Sequence, residues 1–420
     1  QDQLAPHITP EIKQADLTGI ALQLFHLGFQ SHDELDFLDA PGIGAWQQAV
    51  DLLVDLGALE ADQKTLTDHG EAMAEVAAHP RLAHLLIRGA EVGALQGASC
   101  LAAILSDRNP LSADDPDLSV HMDILIGEHR CPARQRGWRD RTRRLADQLA
   151  SPVSGISQVG IVPAGDLPGY LLACAYPDRI ARKRHKGGYQ LANGRSASFA
   201  ERQRLDKHDG LAIAEVGGMA KSRGDVIRSA APLNPQLFDG LLASRVTASN
   251  HVSWDKKDDR FIAESRRQIG SLMLSKERLA DIAPEDKAAC IVDFVRNEGL
   301  NILPFTNDVR AWQARVVLAR TVDESLPDLS DDCLLETLED WLSPYIVNVN
   351  RLADFKKLDL RELLRNLLAW PQQQRVDELV PERITVASGH DMRVDYSQSP
   401  PVLATKLQTM FGCRSTPTIL

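Results

Sequence analysis

The sequence predicts a multidomain α+β protein, helical toward its N-terminus, β-rich in the middle and mixed α/β toward its C-terminus. Two observations carry that reading. Its 420 residues are enough for roughly two to four domains of ordinary size. The period of the apolar residues then changes twice along the chain. It is helical up to about residue 149, gives way to short runs at near-regular spacing between about 170 and 273, and returns to helical spacing after about 283. Hydrophobic content is 44%, so each region can bury a core of its own.

The first segment reads helix, helix, hairpin. Leu17, Ile20, Ala21, Leu24 and Leu27 recur at helical spacing, and Gly28 follows as a stop. A second helix after Pro41 places Ala45, Ala49, Leu52, Leu53 and Leu56 on one face and ends at Gly57. Residues 59–66 have the length of a small hairpin with Ala61, Asp62 and Gln63 at its tip. Asp68 is placed to cap a further helix, with Glu71 three residues on. Helices followed by a short hairpin describe a winged helix, assigned here to residues 1–78.

From His79-Pro80 to about Leu149 the pattern is helical and alanine-rich, broken by Asn109-Pro110 and Asp115-Pro116. It closes with an arginine-rich helix over 134–149. Residues 151–160 are polar and glycine-bearing and read as a linker. The apolar stretch 170–176 opens a region of strand period. Asn193-Gly194 is a hairpin-type turn, and 211–216 and 226–231 are strand-like, with strand character continuing through 246–254 and 260–273. Such short strands predict a small barrel or sandwich. Helices return at 288–296, 330–342 and 358–368. From Pro381 the chain is extended until a short helix near 403–410.

Net charge is −11, which by itself disfavours a polyanionic partner. Local fields, however, steer phosphates. Between Arg130 and Lys186 stand twelve basic residues and four acids. One run is Arg134, Arg136, Arg139, Arg141, Arg143 and Arg144, of which Arg134, Arg141 and Arg144 fall near one helical face. It can lie along a phosphate backbone, or it can be a solvated helix whose arginine stems cover apolar surface. The other run is Arg179, Arg182, Lys183, Arg184 and Lys186, with Tyr170, Tyr176 and Tyr189 nearby. Cations that hold phosphates beside rings that stack on bases are what single-strand binding requires; the plainer reading is a solvated loop whose tyrosines point into the core. Charge reversal at Arg182, Lys183 and Arg184 is expected to weaken single-strand binding and flatten its salt dependence.

Other chemistries find little support. No G-x-x-x-x-G-K-S/T loop occurs; the nearest stretch, Gly217-Gly218-Met219-Ala220-Lys221-Ser222, lacks the second glycine and reads as a loop between strands. His121, Asp123 and His129 have ligand chemistry, but scattered histidines on helices are more often satisfied in place. Ser388-Gly389-His390-Asp391 holds the letters of a triad on adjacent residues, which rarely converge. The helix after Pro41 carries Trp46, Gln47, Gln48 and Asp51 but no base-reading arginine, so it is expected to pack on another domain. The six cysteines are scattered without a C-x-x-C pair, which argues against structural zinc and disulfides. With no apolar run of spanning length, a reducing cytoplasm is the simplest setting and no membrane partner is expected.

Several of these stretches resemble the DEAH/RHA helicase family, and within it the bacterial HrpB branch. Phe37-Leu38-Asp39-Ala40-Pro41 resembles the family's F-x-D-x-P-P stretch. Leu56-Gly57-Ala58-Leu59 with Leu66-Thr67-Asp68-His69-Gly70 resembles its L-G-A-L…L-T-x-x-G signature, and His79-Pro80-Arg81-Leu82 the entry to its helical ratchet domain. Residues 175–181 and 191–195 resemble the opening strand and first hairpin of the branch's OB-like domain. Leu338-Glu339-Asp340-Trp341-Leu342 and Pro400-Pro401-Val402-Leu403-Ala404 resemble its C-terminal domain.

The resemblance implies a winged helix over 1–78, a helical ratchet domain over 79–155, a small OB-like β-barrel domain over 156–283 and a truncated HrpB-type C-terminal domain over 284–420. It implies the non-motor part of an ATP-dependent RNA helicase, with RecA-like motor domains N-terminal to Gln1 in the same polypeptide. ATP and magnesium would belong to that motor, and this region alone would be inactive, with no catalytic residue, cofactor site or metal site of its own. Single-stranded nucleic acid, expected to be RNA, would contact Arg134, Arg141, Arg144, Tyr176, Arg179, Arg182, Lys183, Arg184, Lys186 and Tyr189. The rival readings are a stand-alone nucleic-acid-binding or adaptor protein with the same modules, and a small-molecule enzyme.

Overall fold

A computed structural model describes residues 10–112, 115–185, 187–218, 224–386, 388–398, 400–411 and 418–419. The chain is mixed α+β and divides into two compact units. One comprises residues 1–248 with 267–275, the other 249–266 with 276–420.

The first unit opens with α1 (Thr18–His26), α2 (Ile43–Asp55) and α3 (Asp68–Ala74). Gly28 and Gly57, at φ +92° and +74°, end α1 and α2 in the left-handed conformation that glycine tolerates best. Between α2 and α3 a single bridge joins Leu59 to Leu66, the hairpin expected there. The cap of α3 is Thr67, whose side chain accepts from the Gly70 N–H. Asp68, expected as the cap, is the first helical residue instead, because the hydroxyl one position earlier reaches the free N–H first.

Five helices follow: α4 (Pro80–Glu91), α5 (Leu95–Ser106), α6 (Leu118–Ile126), α7 (Arg136–Ala150) and α8 (Leu167–Ala175). Helices α4 and α5 approach so closely that a Cβ on Gly89 would lie 2.1 Å from the Ala98 Cβ. The prolines at 110 and 116 keep the α5–α6 connection non-helical, and Asp117 caps α6 by accepting from Ser119 N–H. Helix α7 buries Trp138, Thr142, Ala146 and Leu149. The apolar stretch 170–176, placed by period in the β region, lies almost wholly in the fully buried α8. A short apolar run without a polar face carries no period to distinguish a buried helix from a strand.

A closed barrel of five strands comes next: β1 (Ile180–Lys183), β2 (Tyr189–Leu191), β3 (Ser196–Ser198), β4 (Gly210–Gly218) and β5 (Asp225–Pro232), in the order β1-β2-β3-β5-β4. All pairings are antiparallel except β3 with β5. Gly194, at φ +84°, makes the β2–β3 turn that Asn193-Gly194 announces. Ala181, Tyr189, Leu191, Ala197, Leu205, Leu211, Ile213, Ile227 and Ala230 fill the interior. Three longer strands, β6 (Thr247–Asp255), β7 (Arg260–Ile269) and β8 (Leu272–Arg278), form a separate sheet in chain order. The expected run 260–273 is thus two strands, because Gly270 at φ +50° turns the chain between them.

The second unit contains α9 (Pro284–Glu298), α10 (Asn307–Arg320), α11 (Asp331–Glu336), α12 (Leu338–Trp341), α13 (Leu360–Arg365) and α14 (Trp370–Leu379), then the hairpin of β9 (Arg383–Thr385) and β10 (Asp391–Arg393). The single helix expected over 330–342 is broken at Thr337. There the Thr337 hydroxyl donates to the Cys333 carbonyl, and the Trp341 indole N–H takes the Leu334 carbonyl. The helix expected over 358–368 keeps only its middle.

Two buried histidines give the first unit an acid-sensitive interior. His121, 1% exposed, sits with Nδ1 2.9 Å from the Asn109 amide nitrogen, and burial holds its pKa down at about 4. His84 is buried with Nδ1 2.7 Å from His69 Nε2, and burial also pushes it well below its usual value. The unfolded chain therefore takes up protons near pH 6.5 that the folded chain refuses; at His121 the refusal lasts until about pH 4. The stability this neutral state confers is complete above pH 6.5 and declines as pH falls. At pH 5, His121 alone should withdraw about 2 kcal/mol. Chemical denaturation at pH 7.5 and pH 5 should show that loss in the native chain and a smaller one in His121→Gln. Equal losses would place the acid sensitivity elsewhere.

Candidate nucleic-acid interface

Three concavities line up on the first unit. One, of about 520 Å³, is lined by His79, Arg81, Leu105, Leu145, Tyr176 and Arg179 among others. The next, of about 790 Å³, lies between the α5–α6 connection and the barrel and includes Arg108, Asn109, Phe199, Gln203, Glu215 and Arg228. The third, of about 480 Å³, runs over the barrel rim past Arg184, Gly188, Ser196, Phe199 and Val226. The first two share Leu105, Tyr176 and Ala214 as wall residues, and the second and third share Phe199 and Ala200. Shared wall residues make the three concavities neighbours, and together they form a candidate groove.

Its walls are fixed to one another by backbone. The Ala230 N–H of β5 donates to the Pro116 carbonyl at 2.9 Å, which ties the α5–α6 connection to the barrel. A Cβ on Gly169 of α8 would lie 2.0 Å from the Pro232 carbonyl oxygen, so helix and β5 meet at a distance only glycine permits. Arg81 donates to the Ala175 carbonyl at 2.8 Å and to Asp178 at 2.7 Å, and Arg179 donates to the Ala214 carbonyl.

Each part of the groove carries at least one guanidinium group, but the middle concavity sets Arg108 and Arg228 against the carboxylates of Asp107, Glu201 and Glu215. The guanidinium groups of Arg81 and Arg179 lie 5.0 and 4.9 Å from the Tyr176 ring centre, and Asp178 is paired with both arginines. Burial pushes the Tyr176 phenol up in pKa. Tyr176 is thereby a buttress that orients two cations. Arg108, Arg184 and Arg228 are exposed. Arg184 donates to the Ser196 hydroxyl at 3.0 Å, and Arg228 lies 3.7 Å from Glu215. At one end, the hydrogen bond from His79 holds the Asp16 carboxyl well below the usual carboxylate range.

The structure brings together only part of the expected set. Tyr176, Arg179, Arg184 and Tyr189 are among the residues that line the groove. Arg134, Arg141 and Arg144 are exposed but line none of its three parts. Arg182 is turned to β8, donating to the Met273 and Leu274 carbonyls at 2.5 and 2.9 Å, and Lys183 donates to the Asp206 carbonyl. Tyr189, expected as a stacking face, is 1% exposed, with its hydroxyl at hydrogen-bond distance from the Leu205 and His208 carbonyls. Its ring belongs to the barrel interior, because the alternation of β2 turns position 189 inward. Tyr170 is buried in α8. Lys186 lies outside the described residues, as do Met219 to Ser222 of the glycine-bearing stretch. Arg81, Arg108, Phe199 and Arg228 are scattered along the sequence and come together only through the fold.

The remaining candidates stay local. The Ser388 hydroxyl is 3.2 Å from His390 Nδ1, while Asp391 accepts from Thr385 at 2.6 Å, on the exposed turn between β9 and β10. Among the described residues no group of three or more His, Cys, Asp or Glu could hold a metal ion, and no helix is long and apolar enough to cross a membrane.

Comparison with known proteins agrees with this architecture. Residues 341–420 match the model described as ATP-dependent helicase C-terminal, and residues 245–279 match the connector region of the ATP-dependent RNA helicase HrpB. The chain is 31% identical to the ATP-dependent RNA helicase HrpB of Escherichia coli over 423 residues, covering 100% of this chain and 50% of that protein. It is 30% identical over 107 residues to the HrpA homolog of Haemophilus influenzae, covering 24% of this chain and 8% of that protein. A crystal structure of the E. coli DExH-box NTPase HrpB is similar at a TM-score of 0.57 with 30% identity, covering 100% of this chain and 50% of that one. The chain thus spans about half the length of the HrpB it matches.

Proposed function

We propose that this chain, similar along its whole length to half of HrpB and matching its C-terminal model over residues 341–420, belongs with the HrpB-type DEAH/RHA proteins and is the accessory, strand-holding region of an ATP-dependent RNA helicase. On this reading the N-terminal helices and hairpin are a winged helix, helices α4–α7 are the ratchet, and α8 with the five-stranded barrel belongs to the OB-like domain. RecA-like motor domains of the same polypeptide bind ATP and magnesium and supply force. Leu27, Leu38 and Ile43, all exposed in the N-terminal module, are the apolar contacts offered to that motor.

The observation that carries the proposal is the set of three adjoining concavities. It presents Arg81 and Arg179 at one end, Arg108 and Arg228 in the middle and Arg184 at the other. Separated cations along a track hold successive phosphates without reading sequence, which suits a machine that must release and regrip. A stand-alone binding protein would use the same groove; stimulation of strand release by ATP in the full-length protein separates the two.

The test compares single substitutions by titrating a labelled single strand against the chain. Arg184→Glu, at the groove, should weaken binding by roughly tenfold at 50 mM salt, the scale of one phosphate contact. Arg182→Gln, whose guanidinium is occupied by backbone carbonyls, should leave affinity nearly unchanged. The reverse order would move the strand path to the β8 side of the barrel.

A further inference from the structure

Arginines stand in each part of the groove, interleaved in its middle with Asp107, Glu201 and Glu215, but affinity for a flexible strand also needs somewhere for bases to rest. Among the described aromatic residues that line it, Tyr176 is largely buried, and two guanidinium groups stand about 5 Å from its ring. Tyr189 is in the barrel interior. Phe199 differs. It follows β3 directly, is only partly buried, and forms part of the wall shared by the second and third concavities. Arg108 and Arg228 line the concavity on one side of it, and Arg184 lines the concavity on the other.

Phe199 is also held from behind. The Tyr189 and Phe199 rings form a T-shaped pair, with ring centres 6.1 Å apart and planes at 85°. Tyr189 is itself fixed by its hydroxyl against the Leu205 and His208 carbonyls. An edge-to-face contact occupies one edge of the pair and leaves a phenyl face for another ring. The geometry points to Phe199 as a base-stacking platform for single-stranded nucleic acid at the middle of the groove, with Tyr189 as the residue that positions it. This rests on the groove reading above. It assigns base contact to one side chain and phosphate contact to the arginines around it.

The two contributions separate with two ligands of equal charge. A labelled adenylate dodecamer and an abasic ribose-phosphate strand of the same length are titrated against the full 420-residue chain. Phe199→Leu keeps an apolar side chain and removes the ring. It should weaken the adenylate strand by roughly 5- to 100-fold and leave the abasic strand unchanged, since stacking is independent of phosphate contacts. Phe199→Tyr, which keeps the ring, should restore the native value. The salt dependence of binding should be the same in all three proteins. If Phe199→Leu binds the adenylate strand as tightly as the native chain, or loses both strands equally, stacking at this residue is overturned. In that event Arg108→Glu with Arg228→Glu decides the groove itself: loss of both strands keeps it, and unchanged affinity for both removes it.

Discussion

Reversing Arg108 and Arg228 together, as Arg108→Glu with Arg228→Glu, should lower single-strand affinity by roughly 100-fold at 50 mM salt and reduce the magnitude of the salt slope by about 1.4. Each phosphate contact on a single strand releases close to one counterion, so its contribution at low salt is about tenfold. Two such contacts multiply, and the introduced carboxylates add repulsion where Asp107, Glu201 and Glu215 already line the groove. The effect should shrink as salt rises, because exposed charges are screened over about 10 Å at 0.1 M. Both side chains are exposed, so folding should be spared and the thermal transition should stay in place. The paired Arg→Gln changes should give a smaller loss with a similar change in slope. An unaltered slope with the double reversal would show that the strand runs elsewhere.

Removing the ring of Phe355 should cost the second unit about 3–5 kcal/mol. Phe355 is 0% exposed, with Trp254 and Phe294 ring centres 5.9 and 6.4 Å away, and Trp254 stacks on Phe294 at 4.3 Å. Phe355→Ala would leave a ring-sized void beside Trp254 and Phe294, since packed interiors relax only partly around a deletion. The loss should be confined to one compact unit. Calorimetry of the variant should show one transition shifted downward and another retained, with single-strand affinity at low temperature close to native because the groove lies in the first unit. A variant that loses strand binding at temperatures where it remains folded would contradict the assignment of that function to the first unit.

Much of the fold was legible because local physics decided it. Gly28, Gly57, Gly194 and the prolines at 110 and 116 stop or turn the chain wherever they stand, whatever packs on them. Helices with one apolar face, α2 and α7 among them, show their period directly. Failures cluster where burial is complete or polar groups intrude. Helix α8 is apolar on all sides and shows no period. Helix α10 buries Gln313 and Arg315 within its apolar stripe, because Gln313 donates to the Leu329 carbonyl and Arg315 binds the Val380 carbonyl and Asp377. Those partners lie 16 to 65 residues away, which no local window reads. Helix α14 buries only Val376 and leaves almost no stripe to detect.

The candidate site divides the same way. Charge density along the chain pointed to Arg179 and Arg184, and both line the groove. It pointed equally to Arg182 and Lys183, whose side chains are occupied by backbone carbonyls, and to Tyr189, whose strand turns it inward. The sequence alone determined the stops and turns at its glycines and prolines, that a local cationic surplus exists in an acidic chain, and the resemblance to a helicase's accessory region. The tertiary structure alone decided which cations share a surface. Arg81, Arg108 and Arg228 come from a helix start, a turn and a strand, and the Pro116–Ala230 hydrogen bond and the Gly169–Pro232 contact help set them along one groove. Side-chain direction depends on what each backbone face packs against, and that is settled by contacts between residues far apart in sequence.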